Sequence, residues 1–512
     1  MTTKINLFYH FVKYKKNATL PRLVRLSLTQ FDAEQERTAL IKIYQNTTAE
    51  IKKLPYQRDI LSGLMACGLT LLFLGEFIHY ESNAVYLGSY VISLLMTAAG
   101  LVRYWLIIRE ERKLLLPLVL IFLIGLLHFH SGHYNYYKDI WYFSKPIFYI
   151  TAGMIVCNSG LRKSTFLGMV VYIALALSLV HIYTFLLEPQ LLAESVNDIR
   201  KTAGGGNLLI VFAAAFISSR QRFGQVSNFL RIPREFFLLI LYASLVLSFS
   251  RTIFGVYLIT MFFLERLYDL KYAARKIGFA AAAACCLLAI VLLLPSSFIE
   301  DTKVGEFKDK LLNSFNEITI HHRYDTGRQI ALNWRGYEAS LALEEIGEGD
   351  ILDKTMGYGF GKTIFIGFDD YLGHNLFDIP TLHNGFLQVI IKTGCVGLLL
   401  YIGFFISGIR VIRKYRQADN DTADFLAGVL ASSFFATLVI TGYYNKSALD
   451  STCIITGFLF SWIRKSGRNE NIQQRKTHVM SEYTQNCKPA IGTMPYRERE
   501  ESGISIKDFA AR

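Results

Sequence analysis

Thr381-Leu382-His383-Asn384-Gly385-Phe386-Leu387-Gln388 is the stretch on which the fold turns. Behind it lies a long polar island, Pro295 to Leu382. Ahead of it an apolar run, Phe386–Ile409, is long enough for a membrane-spanning helix, which needs about 20 apolar residues. The island carries fifteen carboxylates against eight cations, a net charge of −7, whereas the whole chain is +13. A basic chain with one large acidic loop has two unlike sides, and sidedness is what a membrane imposes.

Working outward, apolar runs of this length recur on both sides of the island. The chain is 52% hydrophobic and only 19% charged, with a mean hydropathy of +0.30. A soluble chain carries about a quarter of its residues as charges. Period-two alternation is absent, so the pattern is helical rather than barrel-forming. The fold class read from this is an all-α polytopic membrane protein with one large outer loop containing short helices. Much of the positive charge falls in short loops between apolar runs, where topology rather than nucleic acid accounts for it. Six of the seven cysteines lie in or beside apolar runs, and none suggests a disulfide framework or zinc spacing.

The spans read as Ile60–Ile78, Ala84–Ile108, Leu114–His128, Ile140–Cys157, Phe166–Leu187, Leu208–Ser219, two within Phe236–Leu264, Ile277–Leu294, Phe386–Ile409, Phe425–Tyr443 and Thr452–Ile463, about twelve in all. Phe236–Leu264 would be about 43 Å long as one helix, too long for a core of about 30 Å. Its basic flanks demand an even number of crossings, so it is read as a hairpin with Arg251 near the outer tip. The organisation expected is a cytoplasmic segment 1–58, membrane helices over 59–294, a periplasmic loop domain 295–382, further membrane helices over 383–463 and a disordered cytoplasmic tail 464–512. Both ends then face the cytoplasm, and the basic start, without an early apolar stretch, leads us to expect no cleaved signal peptide.

On that topology Arg200, Arg251, Arg335 and His383 share the outer side. An arginine in or beside a span is costly and faces a polar cavity, an anion or the interface. Guanidinium suits bidentate phosphate binding, so converging arginines fit a lipid-linked diphosphate; the same residues also fit snorkelling or paired structural cations. Lys145, inside a span, could join such an anion site, while Glu76 could sit at the interface. His383 can accept a hydroxyl proton near neutrality, or serve as a helix-terminal hydrogen bonder. Gly357, Gly359 and Gly361 punctuate a run with no nucleotide-binding pattern around it, and tight turns are their expected use. Trp334 opens an amphipathic helix through Ile346, with Ala339, Ala342, Leu343 and Ile346 on one face and Arg335 placed to pair with Glu338. His128, His130 and His133 lack a ligand helix or carboxylates for zinc, and with the nearby tyrosines fit an interfacial aromatic belt better.

The order of these motifs resembles the O-antigen ligase and O-antigen polymerase family of bacterial surface-polysaccharide enzymes. The residues that carry the likeness are Arg200 followed by Gly204-Gly205-Gly206-Asn207, Ser248-Phe249-Ser250-Arg251, Arg335 followed by a helix and Gly357-Tyr358-Gly359-Phe360-Gly361, and His383-Asn384-Gly385 leading through Lys392-Thr393-Gly394 to Gly397. The likeness covers about residues 140–410. It implies a fold similar to other polyprenol-dependent glycosyltransferases and a transfer of glycan from undecaprenyl diphosphate at the periplasmic face of the inner membrane, without metal or other cofactor. The acceptor would be a second glycan or a lipid A core. Carried over by position, Arg200 and Arg335 grip the diphosphate, Arg251 supports them, and His383 is the catalytic candidate, with Asn384, Glu338, Asn207 and the three glycines supporting. Arg328 competes with Arg335 for the family position, and the spacing to the glycine run favours Arg335. A flippase of lipid-linked oligosaccharide would want the same arginines, but no internal repeat suggests a transporter. A receptor whose outer loop only binds is a third reading.

Overall fold

A computed structural model of the chain describes residues 68–69, 83–127, 134–188, 208–248, 250–268, 319–320, 329–330, 333–366, 378–444 and 450–492. The segment 1–58 and the spans expected at Ile277–Leu294 and over most of Ile60–Ile78 lie outside them. The described chain is helical: α1 (Asn83–Leu126), α2 (Tyr134–Asn158), α3 (Lys163–Leu187), α4 (Leu208–Ile217), a single turn α5 (Arg220–Phe223), α6 (Arg234–Leu247), α7 (Arg251–Leu264), α8 (Trp334–Glu348), α9 (Ile351–Met356), α10 (Gly385–Tyr415), α11 (Asn420–Val439) and α12 (Asp450–Gly492). Two short strands, β1 (Ile364–Phe365) and β2 (Asp378–Ile379), pair antiparallel between α9 and α10.

Four helices are long and apolar enough to cross a membrane: Tyr134–Asn158, Lys163–Leu187, Gly385–Ala418 and Asn420–Val439. Shorter apolar helices at Lys113–Leu126, Leu208–Ile217 and Arg251–Leu264 accompany them. The all-α membrane class stands, but the described residues carry four such helices and not the twelve spans expected.

Three local outcomes bear on that count. The charged run 109–113 does not interrupt the helix, since α1 continues through it. It is nevertheless not a straight rod. Thr97 and Gly125 would be about 42 Å apart on one axis. Thr97 Oγ1 donates to the Phe148 carbonyl at 3.4 Å, while Gly125 accepts from the amide of Phe360. The Phe360 ring lies 4.9 Å from that of Phe143, only five residues from Phe148 along α2, so α1 bends. The chain also folds back between α6 and α7, as the two-span reading required. Tyr242 and Tyr257 would stand about 22 Å apart on a continuous helix, yet their hydroxyls meet at 2.9 Å. Finally, α12 runs on to Gly492, so 464–492 is helical rather than the disordered tail expected.

α2, α3, α4, α10, α11 and the first part of α12 bury one contiguous apolar core. Small residues permit close approach: a Cβ on Gly153 would meet the Ile454 carbonyl of α12, and one on Gly457 the Ile150 carbonyl of α2. At the turn between α10 and α11, Asp419 caps α11 through the Thr422 amide and accepts from Lys163 Nζ at 2.9 Å and Trp462 Nε1 at 3.1 Å. Burial opposes its charge, but the Lys163 ammonium and the Thr422 bonds hold its carboxyl below the usual carboxylate range.

α10 is broken at Gly394, whose φ of 65° and ψ of −169° leave the helical region. The break frees the carbonyls of Ile391 and Lys392, which a continuous helix would bond internally. The glycine run takes them up, Tyr358 N–H on Ile391 at 2.8 Å and Gly359 N–H on Lys392 at 3.1 Å. The two backbones touch so closely that a Cβ on Gly394 would collide with the Thr355 carbonyl. Gly394→Ala therefore carries both a left-handed backbone cost of about 1–3 kcal/mol and a backbone clash. We expect a clear loss of thermal stability in detergent-solubilised protein; an unchanged melting midpoint would contradict this packing.

Candidate active site

The described part of the acidic island packs against α10 through a small apolar cluster of Ala339, Ala342, Ile364, Leu382, Leu387 and Ile391. Ala339 and Ala342 face inward as their spacing predicts. Leu343, expected beside them, is 44% exposed. In its place α8 turns a carboxylate inward: the Glu338 side chain is 3% exposed, and the His383 imidazole it meets is 47% exposed.

His383 lies two residues before α10. Its Nδ1 is 2.9 Å from Glu338 Oε2 and 3.0 Å from Oε1, and its backbone N–H donates to Oε2 at 3.1 Å. A carboxylate only accepts, so Nδ1 carries the hydrogen. In the neutral form of the half-exposed ring, Nε2 is then the lone-pair nitrogen, the tautomer a general base requires. Asn384 is the N-cap of α10, its side-chain oxygen accepting from Phe386 N–H at 3.0 Å and Leu387 N–H at 3.2 Å. That satisfies two of the helix's free amides and fixes the backbone from which His383 projects. Gln388 adds a further tie by accepting from Leu382 N–H at 2.9 Å.

Arg335 stands one turn before Glu338 on α8, half-buried. Both carboxylate oxygens of Glu338 meet His383, a partner that the i, i+3 spacing of Arg335 and Glu338 did not suggest. Arg251 opens α7 at the 248–250 turn and is half-buried. Arg200, Asn207 and Arg328 lie outside the described residues. Lys145 is buried on α2 and its Nζ lies 2.8 Å from Asp450 at the start of α12. Its first partner is thus a helix-bridging carboxylate rather than an anion site. Gly357, Gly359 and Gly361 all have positive φ, between 79° and 92°, the conformations glycine adopts freely. They bring the loop against α10, and their three amides donate within the protein, to the Asp353 and Lys392 carbonyls and to Asp139 Oδ2. Nearby, Tyr358 donates to the Glu345 carbonyl at 2.6 Å, and burial followed by the Glu345 charge holds its phenol above the usual range.

Two residues outside the expected set pair close to the glycine run. Asp139 on α2 and Lys392 on α10 form a buried ion pair at 2.6 Å, with side chains 0% and 1% exposed. The signal for them was present: an ionisable residue within an apolar run needs a named partner. Lys392 was visible only as part of a motif, and Asp139, one residue before the span read at Ile140–Cys157, was not singled out. Among the described residues no three His, Cys, Asp or Glu side chains gather to hold a metal ion.

A search of curated proteins finds no match. A family model does match, and it covers the 248–251 turn, α8, the glycine run and His383. With its long apolar helices the chain is a multi-pass membrane protein, and residues 236–402 of it are similar to the family described as O-antigen ligase.

Proposed function

We propose that the protein is a glycosyltransferase of bacterial surface-polysaccharide assembly, moving glycan from undecaprenyl diphosphate onto an acceptor hydroxyl at the periplasmic face of the inner membrane. The observation that carries this reading is the Glu338–His383 pair, set inside the O-antigen ligase match. The acceptor oxygen attacks the anomeric carbon of the lipid-linked glycan, and the bond from that carbon to the diphosphate breaks. His383 Nε2 takes the acceptor's proton, while Glu338 holds Nδ1–H and steadies the imidazolium that forms. Negative charge gathers on the departing undecaprenyl diphosphate. Arg335 and Arg251, with Arg200 as a further candidate, supply the cationic stabilisation, in place of a metal or other cofactor. The acceptor is either a second lipid-linked glycan, giving polymerisation, or a lipid A core, giving ligation.

Purified protein in liposomes, supplied with lipid-linked glycan and each acceptor in turn, tests this. The expected result is a new glycosidic bond together with free undecaprenyl diphosphate. Translocation of the lipid-linked glycan without bond formation would make the protein a flippase, and binding alone would make it a receptor; either overturns the reading.

A further inference from the structure

We propose that the buried Asp139–Lys392 pair is a positioning device that sets the Glu338–His383 geometry through the backbone of the glycine loop; the inference rests on the reading of His383 as the working base. The pair holds backbone as well as charge. Asp139 Oδ2 accepts from Gly361 N–H at 2.8 Å and from Lys392 Nζ at 2.6 Å. Lys392 Nζ donates onward to the Lys362 carbonyl. Three segments therefore meet at one buried point: α2, α10 and residues 361–362.

Both halves of the dyad hang from that point. Two residues after Lys362, Ile364 enters β1, which pairs with β2 in the register Ile364↔Ile379 and Phe365↔Asp378. Four residues beyond Ile379 the chain reaches His383. On the other side, Tyr337 donates its hydroxyl to the Ile366 carbonyl at 2.7 Å, tying α8 to the end of the same strand next to Glu338. The ribbon thus spaces two residues 45 positions apart in sequence, and its root is the ion pair.

Stability alone is a poor explanation for the pair. A buried ion pair of this kind is often no better than apolar side chains of similar volume. Here Asp139 Oδ1 is also buried with no hydrogen-bond partner among the described residues, an added cost. What an apolar pair could not supply is the acceptor for Gly361 N–H and the donor for the Lys362 carbonyl.

The exchange variant Asp139→Lys/Lys392→Asp tests this directly. It keeps opposite charges facing each other but puts a donor against Gly361 N–H and an acceptor against the Lys362 carbonyl. Asp139→Leu/Lys392→Met removes the charges and the loop bonds together. We expect both to melt closer to wild type than either single substitution does. We expect kcat to fall by about 10- to 100-fold, the scale of a misplacement near 1 Å, with the donor KM little changed. Amide exchange over residues 378–384 should quicken in both. Wild-type kcat and wild-type exchange in a folded variant overturn the proposal, as does failure of both variants to accumulate, which would make the pair a requirement for folding instead. His383→Ala is measured alongside. If it retains activity, the reading of the base falls, and the exchange measurement still decides whether the pair orders 378–384.

Discussion

His383→Ala is expected to lower turnover by about 10²–10⁴-fold, the range a positioned general base contributes, and to leave cells without long-chain surface polysaccharide while the protein remains in the membrane. The expectation separates chemistry from folding because the local structure does not depend on the imidazole. The cap of α10 belongs to Asn384, the apolar seat to Leu382 and Leu387, and the ring is 47% exposed. Removing it opens no core cavity. It does leave Glu338 buried without its Nδ1–H partner, though the His383 backbone N–H still donates to it, so the melting midpoint should fall only modestly. Arg335→Ala should likewise abolish long chains, through the leaving group rather than the nucleophile. Normal chain length in both variants would sink the mechanism. A His383→Ala protein that fails to insert would make the residue structural.

Class was legible in the sequence because burying a helix in lipid takes a long apolar run, and such runs can be read one at a time. α2, α3, α10 and α11 were found this way. So were the turn back at 248–250, forced by helix length and flanking charge, and the start of α8 at Trp334. The count of spans was less legible: short apolar helices such as Leu208–Ile217 and Arg251–Leu264 are long enough to pack and too short to declare a crossing. Within the site, His383, Asn384 and the glycines could be placed by local motif. The long-range contacts of the site could not, since their two ends are distant in the chain. Glu338 meets a residue 45 positions away, Asp139 one 253 away, and Lys145 pairs across the bundle with Asp450. A spacing argument sees i, i+3 neighbours first, and so offered Arg335 as the partner of Glu338. The break at Gly394 was equally invisible, because it exists to receive a loop folded back from 357–361.

Glu338→Gln should cost nearly as much turnover as the loss of His383, about 10²–10⁴-fold, with little change in stability. Glutamine has the same size, so the inward face of α8 still closes over α10. Its amide can still bond the ring, and that is the source of the defect. With its NH₂ toward the imidazole, the introduced amide would donate to Nδ1 and move the ring proton to Nε2, the nitrogen that must accept from the acceptor hydroxyl. With its carbonyl toward Nδ1–H the tautomer survives, but the negative charge that stabilises the imidazolium is gone. Either orientation strikes the chemical step, so kcat should fall with the donor KM close to wild type. Glu338→Asp separates charge from reach: it keeps the carboxylate but shortens it by one methylene against contacts of 2.9–3.1 Å, and should recover part of the rate. A Glu338→Gln protein with wild-type kcat would mean that the carboxylate only braces the backbone before α10, and the proton would then need another acceptor.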